Sequence, residues 1–228
     1  MNENIWNDEN LIKVLSRNGI VVMPTDTIYG IVGKALKKHT VERIYNIKKR
    51  NPEKPCIILI GNINELKKFS IVLLEEQKKI LEKYWFTPSG LFRALSREVE
   101  GFRPTSIILD CPNDEFEYLH RGTKTLAFRL PAPQTLRDLL LKVGPLIAPS
   151  ANTEARLPSK NIKEAKKYFG DSVDPVRSRS PQGDRSTRFL TRAAFNGVDL
   201  YVDGGELKSK ASKLIKLNSD GSVIVLRE

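Results

Sequence analysis

A polar stretch near the start of the chain interrupts an apolar run. Residues 19–23 read Gly-Ile-Val-Val-Met, and the residues between Pro24 and Gly30 supply three hydroxyls and the carboxylate of Asp26. Ligands in open α/β folds tend to sit where strands end. The pattern therefore predicts a buried strand that delivers Thr25 and its neighbours to a small-molecule site.

A basic cluster follows a predicted helix, because residues 48–55 read Lys-Lys-Arg-Asn-Pro-Glu-Lys-Pro. The two prolines stiffen a turn, and Lys48 and Arg50 are suited to neutralise a triphosphate. The alternative interpretation is that basic residues at a helix end only offset the helix dipole. The cluster favours an anionic substrate.

Polar residues also follow two later predicted strands. Ser150 and Asn152 come after Pro149, and Arg129 ends a strand before Pro131. Hydroxyl and amide groups suit a phosphate or a small polar ligand, and a guanidinium suits a substrate carboxylate. The alternatives are a common turn and a surface arginine.

Several other chemistries find no support in the sequence. The segment from Gly30 to Lys34 lacks the spacing of a phosphate-binding loop, since Ala35 follows the lysine. Two cysteines and two histidines, without C-x-x-C, argue against a disulfide framework, a structural zinc site and a Cys/His dyad. Cysteine usage makes the reducing cytoplasm the expected location.

The composition is that of a globular protein. The chain has 228 residues, 40% of them hydrophobic, and a net charge of +11, which suits a polyanionic ligand such as a nucleotide or RNA. The alternative is a lysine-rich solvated exterior. Apolar stretches are too short for a bilayer span, and the polar N-terminus does not resemble a signal peptide.

Two segments, 86–103 and 175–197, differ from the rest of the chain. Together they contain eight arginines and no lysine, whereas the other residues contain 22 lysines and eight arginines. We interpret both as late insertions into one domain that spans 1–228, because exposed loops tolerate added length. The alternative is that they are ordinary loops. Short helices are predicted at 89–99 and 189–195.

Strands and helices alternate first, and a strand-rich end follows, which predicts a mixed α/β sheet. Apolar periodicity predicts helices at 10–17, 40–50, 64–69, 73–84, 135–143 and 161–169, the last capped by Gly170. Strands are predicted at 19–23, 56–60, 106–109, 125–129, 146–148 and 200–202, and a hairpin joins 214–217 to 222–226.

In combination these motifs resemble the YrdC/Sua5 family. The resemblance rests on Pro-Thr-Asp-Thr-Ile-Tyr-Gly at 24–30, the 48–55 cluster, Arg-Leu-Pro at 129–131 and Ala-Pro-Ser-Ala-Asn at 148–152. Residues 211–215 and 225–228 are similar to its last two motifs. The family implies a twisted mixed sheet with flanking helices around a basic concave cavity, in the short single-domain form.

The resemblance also implies L-threonylcarbamoyladenylate synthase activity. That enzyme joins L-threonine, bicarbonate and ATP for threonylcarbamoyl modification of adenosine 37 in tRNA, and it works alongside tRNA pathway proteins. Mg²⁺ is expected on the ATP phosphates, with no metal site in the protein. The resemblance assigns the catalytic role to Lys48 and Arg50, ATP binding to Lys48, Arg50, Pro52, Asn152 and Arg227, and threonine binding to Thr25, Arg129, Ser150 and Ser212, with Asp26 near the threonine ammonium.

The sequence departs from the family at three motifs. In the first, the 86–103 segment separates Trp85 from Pro104, and Ser106 falls where the family has threonine. In the second, Ala132 and Pro133 replace a pattern that ends in histidine, and in the third, the family's Pro-Ser-Thr is Ala-Ser-Lys at 211–213. Two alternatives to the enzyme therefore stay open. One is an RNA-binding module of the same fold, and the other is a degraded copy without activity.

Overall fold

The protein is described by a computed structural model that covers residues 3–85, 104–171 and 197–228. The helices are α1 (Glu9–Ser16), α2 (Lys38–Lys48), α3 (Glu75–Trp85), α4 (Glu117–His120), α5 (Gln134–Val143) and α6 (Ile162–Phe169). The strands are β1 (Val21–Pro24), β2 (Tyr29–Lys34), β3 (Ile57–Leu59), β4 (Thr105–Asp110), β5 (Thr125–Arg129), β6 (Leu146–Ile147), β7 (Leu200–Tyr201), β8 (Lys213–Leu217) and β9 (Val223–Arg227).

Within the described ranges, nine strands form one mixed sheet in the order β7-β1-β2-β6-β3-β5-β4-β8-β9. The pairs β1·β7, β3·β5 and β4·β8 are parallel. The pairs β1·β2, β2·β6, β3·β6, β4·β5 and β8·β9 are antiparallel. The predicted mixed α/β sheet is confirmed, including the C-terminal hairpin.

Apolar side chains on the two faces of the sheet form two separate cores. Val22 of β1 packs in the core that includes Ile44 of α2. Its neighbours Val21 and Met23 point to the other face and pack with Leu140 of α5. This alternation follows from the period of two along a strand.

Most predicted elements are present, with boundaries that differ by a few residues. Gly170 ends α6 at a φ of 77°, as predicted. The helix expected at 40–50 ends instead at Lys48, because Lys49 takes a left-handed conformation with a φ of 50°. The segment expected as a helix at 64–69 is a 3-10 helix, Ile63–Phe69.

The polar stretch at 25–28 is the loop of a hairpin between β1 and β2. The sequence predicted the strand before the loop but assigned no strand to Tyr29–Lys34. Thr25 closes the turn, since its backbone N–H and its Oγ1 both donate to the carbonyl of Ile28, at 3.2 and 2.8 Å. The loop therefore presents a fixed arrangement of hydroxyls.

The predicted insertions lie largely outside the described residues. This holds for 86–103, for all of 175–197 except Gly197, and for the short helices expected within them. The division of the chain into one domain with two insertions remains a prediction.

Candidate active site

A cavity of about 600 Å³ lies over one face of the sheet. Five strands that are consecutive in the sheet line it, β3, β5, β4, β8 and β9. Each strand contributes at least one residue to the lining, for example, in that order, Ile57, Ala127, Ile108, Leu214 and Arg227. The volume is within the range of small-molecule sites.

Two loops close the cavity at its sides. The hairpin loop between β1 and β2 contributes Thr25, Thr27 and Ile28, and the segment after β6 contributes Ser150. These segments lie side by side because Gly30 and Ser150 form an antiparallel bridge. The backbone N–H of Ala151 also donates to the Tyr29 carbonyl at 2.8 Å.

The cavity is electropositive. Among the described residues, its lining includes four cations, Arg50, Lys54, Arg129 and Arg227, and one carboxylate, that of Glu53. A concave wall with one sign of charge concentrates its field on a bound ligand of the opposite sign. The predicted basic concave cavity is thus present.

Arg129 is the centre of a buried polar network, and its side chain is 4% exposed. One terminal nitrogen, Nη2, lies 3.3 Å from Thr25 Oγ1 and 2.9 Å from Asp26 Oδ1. The other, Nη1, donates to Ser212 Oγ at 3.4 Å. The Nε atom is buried and has no hydrogen-bond partner among the described residues.

Ser212 connects Arg129 to the sheet and to the C-terminal strand. Its hydroxyl lies 2.9 Å from that of Ser106 on β4, and both side chains are buried. Its carbonyl accepts two hydrogen bonds from Arg227, at 3.0 and 2.8 Å. Thr25, Arg129, Ser212 and Arg227 therefore meet at one end of the cavity, although they are far apart in sequence.

The Lys–Arg loop, residues 48–55, forms the other end. Arg50 lines the cavity, and its guanidinium is fixed by hydrogen bonds to the carbonyls of Lys54 and Pro55, at 3.1 and 3.0 Å. Lys54 also lines the cavity and is more than half exposed. Two cations at this end suit an anionic group.

Lys48 does not line the cavity. Its side chain is buried, and its ammonium donates to the backbone carbonyls of Ser150 and Asn152. Burial, together with the charge of Arg50, lowers the pKa of Lys48 to about 8. The residue joins the end of α2 to the 150–152 segment, so the two motifs are neighbours, but the ammonium is already occupied.

Two further predicted site residues also lie behind the lining. The Asn152 side chain is buried, and its Nδ2 donates to the carbonyls of Thr153 and Arg156 at 2.8 and 2.7 Å. Pro52 lines a neighbouring depression of about 480 Å³, which shares Glu53 with the cavity. Both shape the walls of the cavity from outside.

Sequence reasoning missed Glu154 and did not predict the ion-pair partner of Asp26. No sequence pattern links Glu154 to Lys54, because the residues are 100 positions apart, yet their charged atoms lie 2.6 Å apart. Asp26 was expected near a substrate ammonium, whereas its 2%-exposed side chain is paired with Arg129. The contacts of these two carboxylates become visible only in the folded chain.

The fold and the cavity are those of a mixed α/β protein with a small-molecule-sized, arginine- and lysine-lined cavity on one face of its sheet. The Sua5/YciO/YrdC family model, described as "Telomere recombination", matches residues 13–187. The chain belongs to this family.

Relatives with assigned names agree with this membership. The chain is 28% identical to a putative threonylcarbamoyl-AMP synthase of Methanocaldococcus jannaschii, over 96% of the chain and 84% of that protein. It is 28% identical to the threonylcarbamoyl-AMP synthase of Bacillus subtilis, over 63% of the chain but only 37% of that longer protein.

Solved structures share the fold. Pyrococcus abyssi Sua5 complexed with L-threonine superposes with a TM-score of 0.70 at 20% identity, covering 98% of this chain and 54% of that one. Escherichia coli YciO gives 0.67 at 19% identity, covering 99% and 89%. The chain thus spans about half of Pyrococcus abyssi Sua5.

Proposed function

We propose that the protein is an L-threonylcarbamoyladenylate synthase that supplies the threonylcarbamoyl group for adenosine 37 of tRNA. Family membership and the names of the relatives support an enzyme of the transferase type. The observation that carries the proposal is the meeting of the Thr25 loop, Arg129, Ser212 and the Lys–Arg loop around one cavity of about 600 Å³.

The reaction can proceed without a covalent enzyme intermediate. The threonine amine and bicarbonate condense to a carbamate and water. A carbamate oxygen then attacks the α-phosphorus of ATP. The bond between that phosphorus and the oxygen that bridges the α- and β-phosphates breaks. The electron pair leaves with pyrophosphate. Such chemistry depends on positioning and on charge stabilisation.

The two ends of the cavity suit the two substrates. Arg129 lines the cavity, and we assign its guanidinium to the threonine carboxylate, with Thr25, Ser150 and Ser212 around the threonine side chain. Arg50 faces the nucleotide from the Lys–Arg loop, and we assign Arg227, which lies at the Arg129 end, to the part of the nucleotide next to threonine. Lys48, Pro52 and Asn152 belong to the nucleotide end as residues that hold its walls. A direct contact of Lys48 with phosphate would require it to leave two carbonyls.

We assign Mg²⁺ to the triphosphate of ATP rather than to a protein site. The lining is rich in arginine and lysine, which repel a free cation and attract the phosphates. Mg²⁺ neutralises phosphate charge when bound. A cytoplasmic location, interaction with tRNA pathway proteins and weak RNA binding remain predictions. No described helix is long and apolar enough to cross a membrane.

The interruption at 86–103 leaves its flanks in contact. The Trp85 indole N–H donates to the Thr105 carbonyl at 3.0 Å, and the adjacent Ser106 reaches Ser212. This arrangement supports an active enzyme over a degraded copy, because the wall of the cavity next to the segment is in place.

Pyrophosphate release is the decisive assay. We expect release that requires ATP, L-threonine and bicarbonate together, with reactions lacking each component as controls. Arg50→Ala should reduce kcat/KM at least about 100-fold, the scale of losing charge stabilisation in a transition state. Arg129→Lys should raise the KM for threonine more than that for ATP. RNA binding without pyrophosphate release would identify a binding module. The absence of both activities would identify a degraded copy.

A further inference from the structure

Glu154 places a carboxylate against the two cations of the Lys–Arg loop. Its Oε1 lies 2.6 Å from Lys54 Nζ, and its Oε2 lies 3.8 Å from Arg50 Nη1. Its backbone N–H donates to the Lys48 carbonyl at 3.1 Å, which holds the residue beside the loop. The side chain is 29% exposed and therefore accessible to solvent ions.

Arg50 does not need Glu154 to keep its orientation. Its Nε and Nη2 atoms already donate to the carbonyls of Lys54 and Pro55. Its Nη1 faces Glu154 at 3.8 Å, which is too long for a hydrogen bond. The carboxylate therefore neutralises charge at this end of the cavity more than it builds the geometry.

Lys54 is free to change partners. Its side chain is 57% exposed, and a long exposed ammonium loses little by exchanging one anion for another. The ion pair lowers the pKa of Glu154, chiefly through the hydrogen bond from Lys54, so the carboxylate is ionised at neutral pH. A polyphosphate in the cavity would compete with it for the same donors.

We propose that Glu154 is the resident counter-ion of Lys54 and Arg50, which the phosphates of ATP displace on binding and which returns as pyrophosphate leaves. This inference rests on the proposed function for the identity of the anion. It makes Glu154 a positioning residue for the phosphate end that weakens pyrophosphate binding and so favours product release.

The test measures binding of inorganic pyrophosphate to the full chain by titration calorimetry. Glu154→Gln keeps the size of the side chain and removes its charge. We expect it to lower the Kd for pyrophosphate about two- to fivefold, the scale of one charge interaction near the surface. In assays of turnover, the KM for ATP and the inhibition constant for pyrophosphate should fall together, while the KM for threonine stays unchanged.

The matched control is Glu75→Gln, which removes the carboxylate of another Glu–Lys pair, on the exposed α3 surface. It should leave the Kd for pyrophosphate unchanged. If folded Glu154→Gln has an unchanged or higher Kd while the parent releases pyrophosphate, the counter-ion role of Glu154 is wrong and the proposed synthase activity is retained. If Glu154→Gln binds pyrophosphate more tightly but the parent releases none in the assay, the counter-ion role is retained and the proposed synthase activity is wrong. Absence of pyrophosphate binding in the parent would overturn the inference.

Discussion

At the scale of single residues, Lys48 is a charged group buried in the protein interior. Its ammonium is buried between two backbone carbonyls, and its pKa is lowered from 10.5 to about 8 by burial and by Arg50. Between these two values the unfolded chain binds more protons than the folded chain. Stability must therefore rise with pH through this window, because the cost of the buried charge is relieved.

Lys48→Met provides the measurement, since methionine has similar length and does not titrate. The free energy of unfolding of the parent, minus that of the variant, should increase from pH 8 to pH 10 by at most about 1.4 kcal/mol per pH unit. Urea unfolding at each pH gives both values, and other titrating groups cancel in the difference. Parallel pH profiles for the two proteins would contradict the assignment of the low pKa to Lys48.

Residue types and order were enough to predict much of the cavity. Thr25, Arg50, Arg129, Ser150 and Ser212 line it as the motifs suggested. The sequence could not show that the ammonium of Lys48 ends on carbonyls, or that Asp26 already pairs with Arg129. Both depend on partners brought together by folding, and a motif carries no information on which of its charges are already neutralised.

At the scale of elements, the position of the Lys–Arg loop depends on how α2 packs on β2. A Cβ atom at Gly33 of β2 would lie 2.5 Å from Thr40 Cγ2 and 3.0 Å from Ile44 Cδ1, both on α2. Gly33→Ala should therefore push the helix outward and destabilise the protein by about 1–3 kcal/mol. Because Lys48 ends that helix, we also expect the KM for ATP to rise.

Gly122→Ala is the control for this variant. A Cβ there meets no atom within 4 Å, but the φ of +85° disfavours alanine, so the expected cost of about 1 kcal/mol is conformational. Urea unfolding compares the two. A Gly33→Ala protein as stable as the parent, with an unchanged KM, would show that α2 tolerates the displacement.

The elements that sequence reasoning found and missed differ in how local their signals are. The C-terminal hairpin is marked by Asn218-Ser219-Asp220-Gly221, and the structure closes it with a hydrogen bond from Gly221 N–H to the Asn218 carbonyl at 3.1 Å. By contrast, β2 contains two glycines and is almost wholly buried, without polar alternation. Its strand conformation comes from pairing with β1, β6 and the Ser150 segment, which is tertiary information.

At the scale of the whole molecule, the sequence predicts that 86–103 is an addition to a complete domain. The described residues on its two sides meet, since the Trp85 indole lies 3.0 Å from the Thr105 carbonyl. A short connection can therefore span the gap without pulling α3 away from β4. Shortening a loop changes its closure entropy only slowly with length.

Replacing 86–103 by about four residues of glycine and serine should leave the free energy of unfolding within about 1.5 kcal/mol of the parent. Pyrophosphate release should be retained, because Trp85, Thr105 and Ser106 keep their contacts. The control combines the replacement with Trp85→Phe, which lacks the indole donor and should unfold at lower urea. If the shortened chain without the Trp85 change already loses its cooperative unfolding transition, 86–103 contributes to the core. The rest of the chain then does not form a stable domain without it.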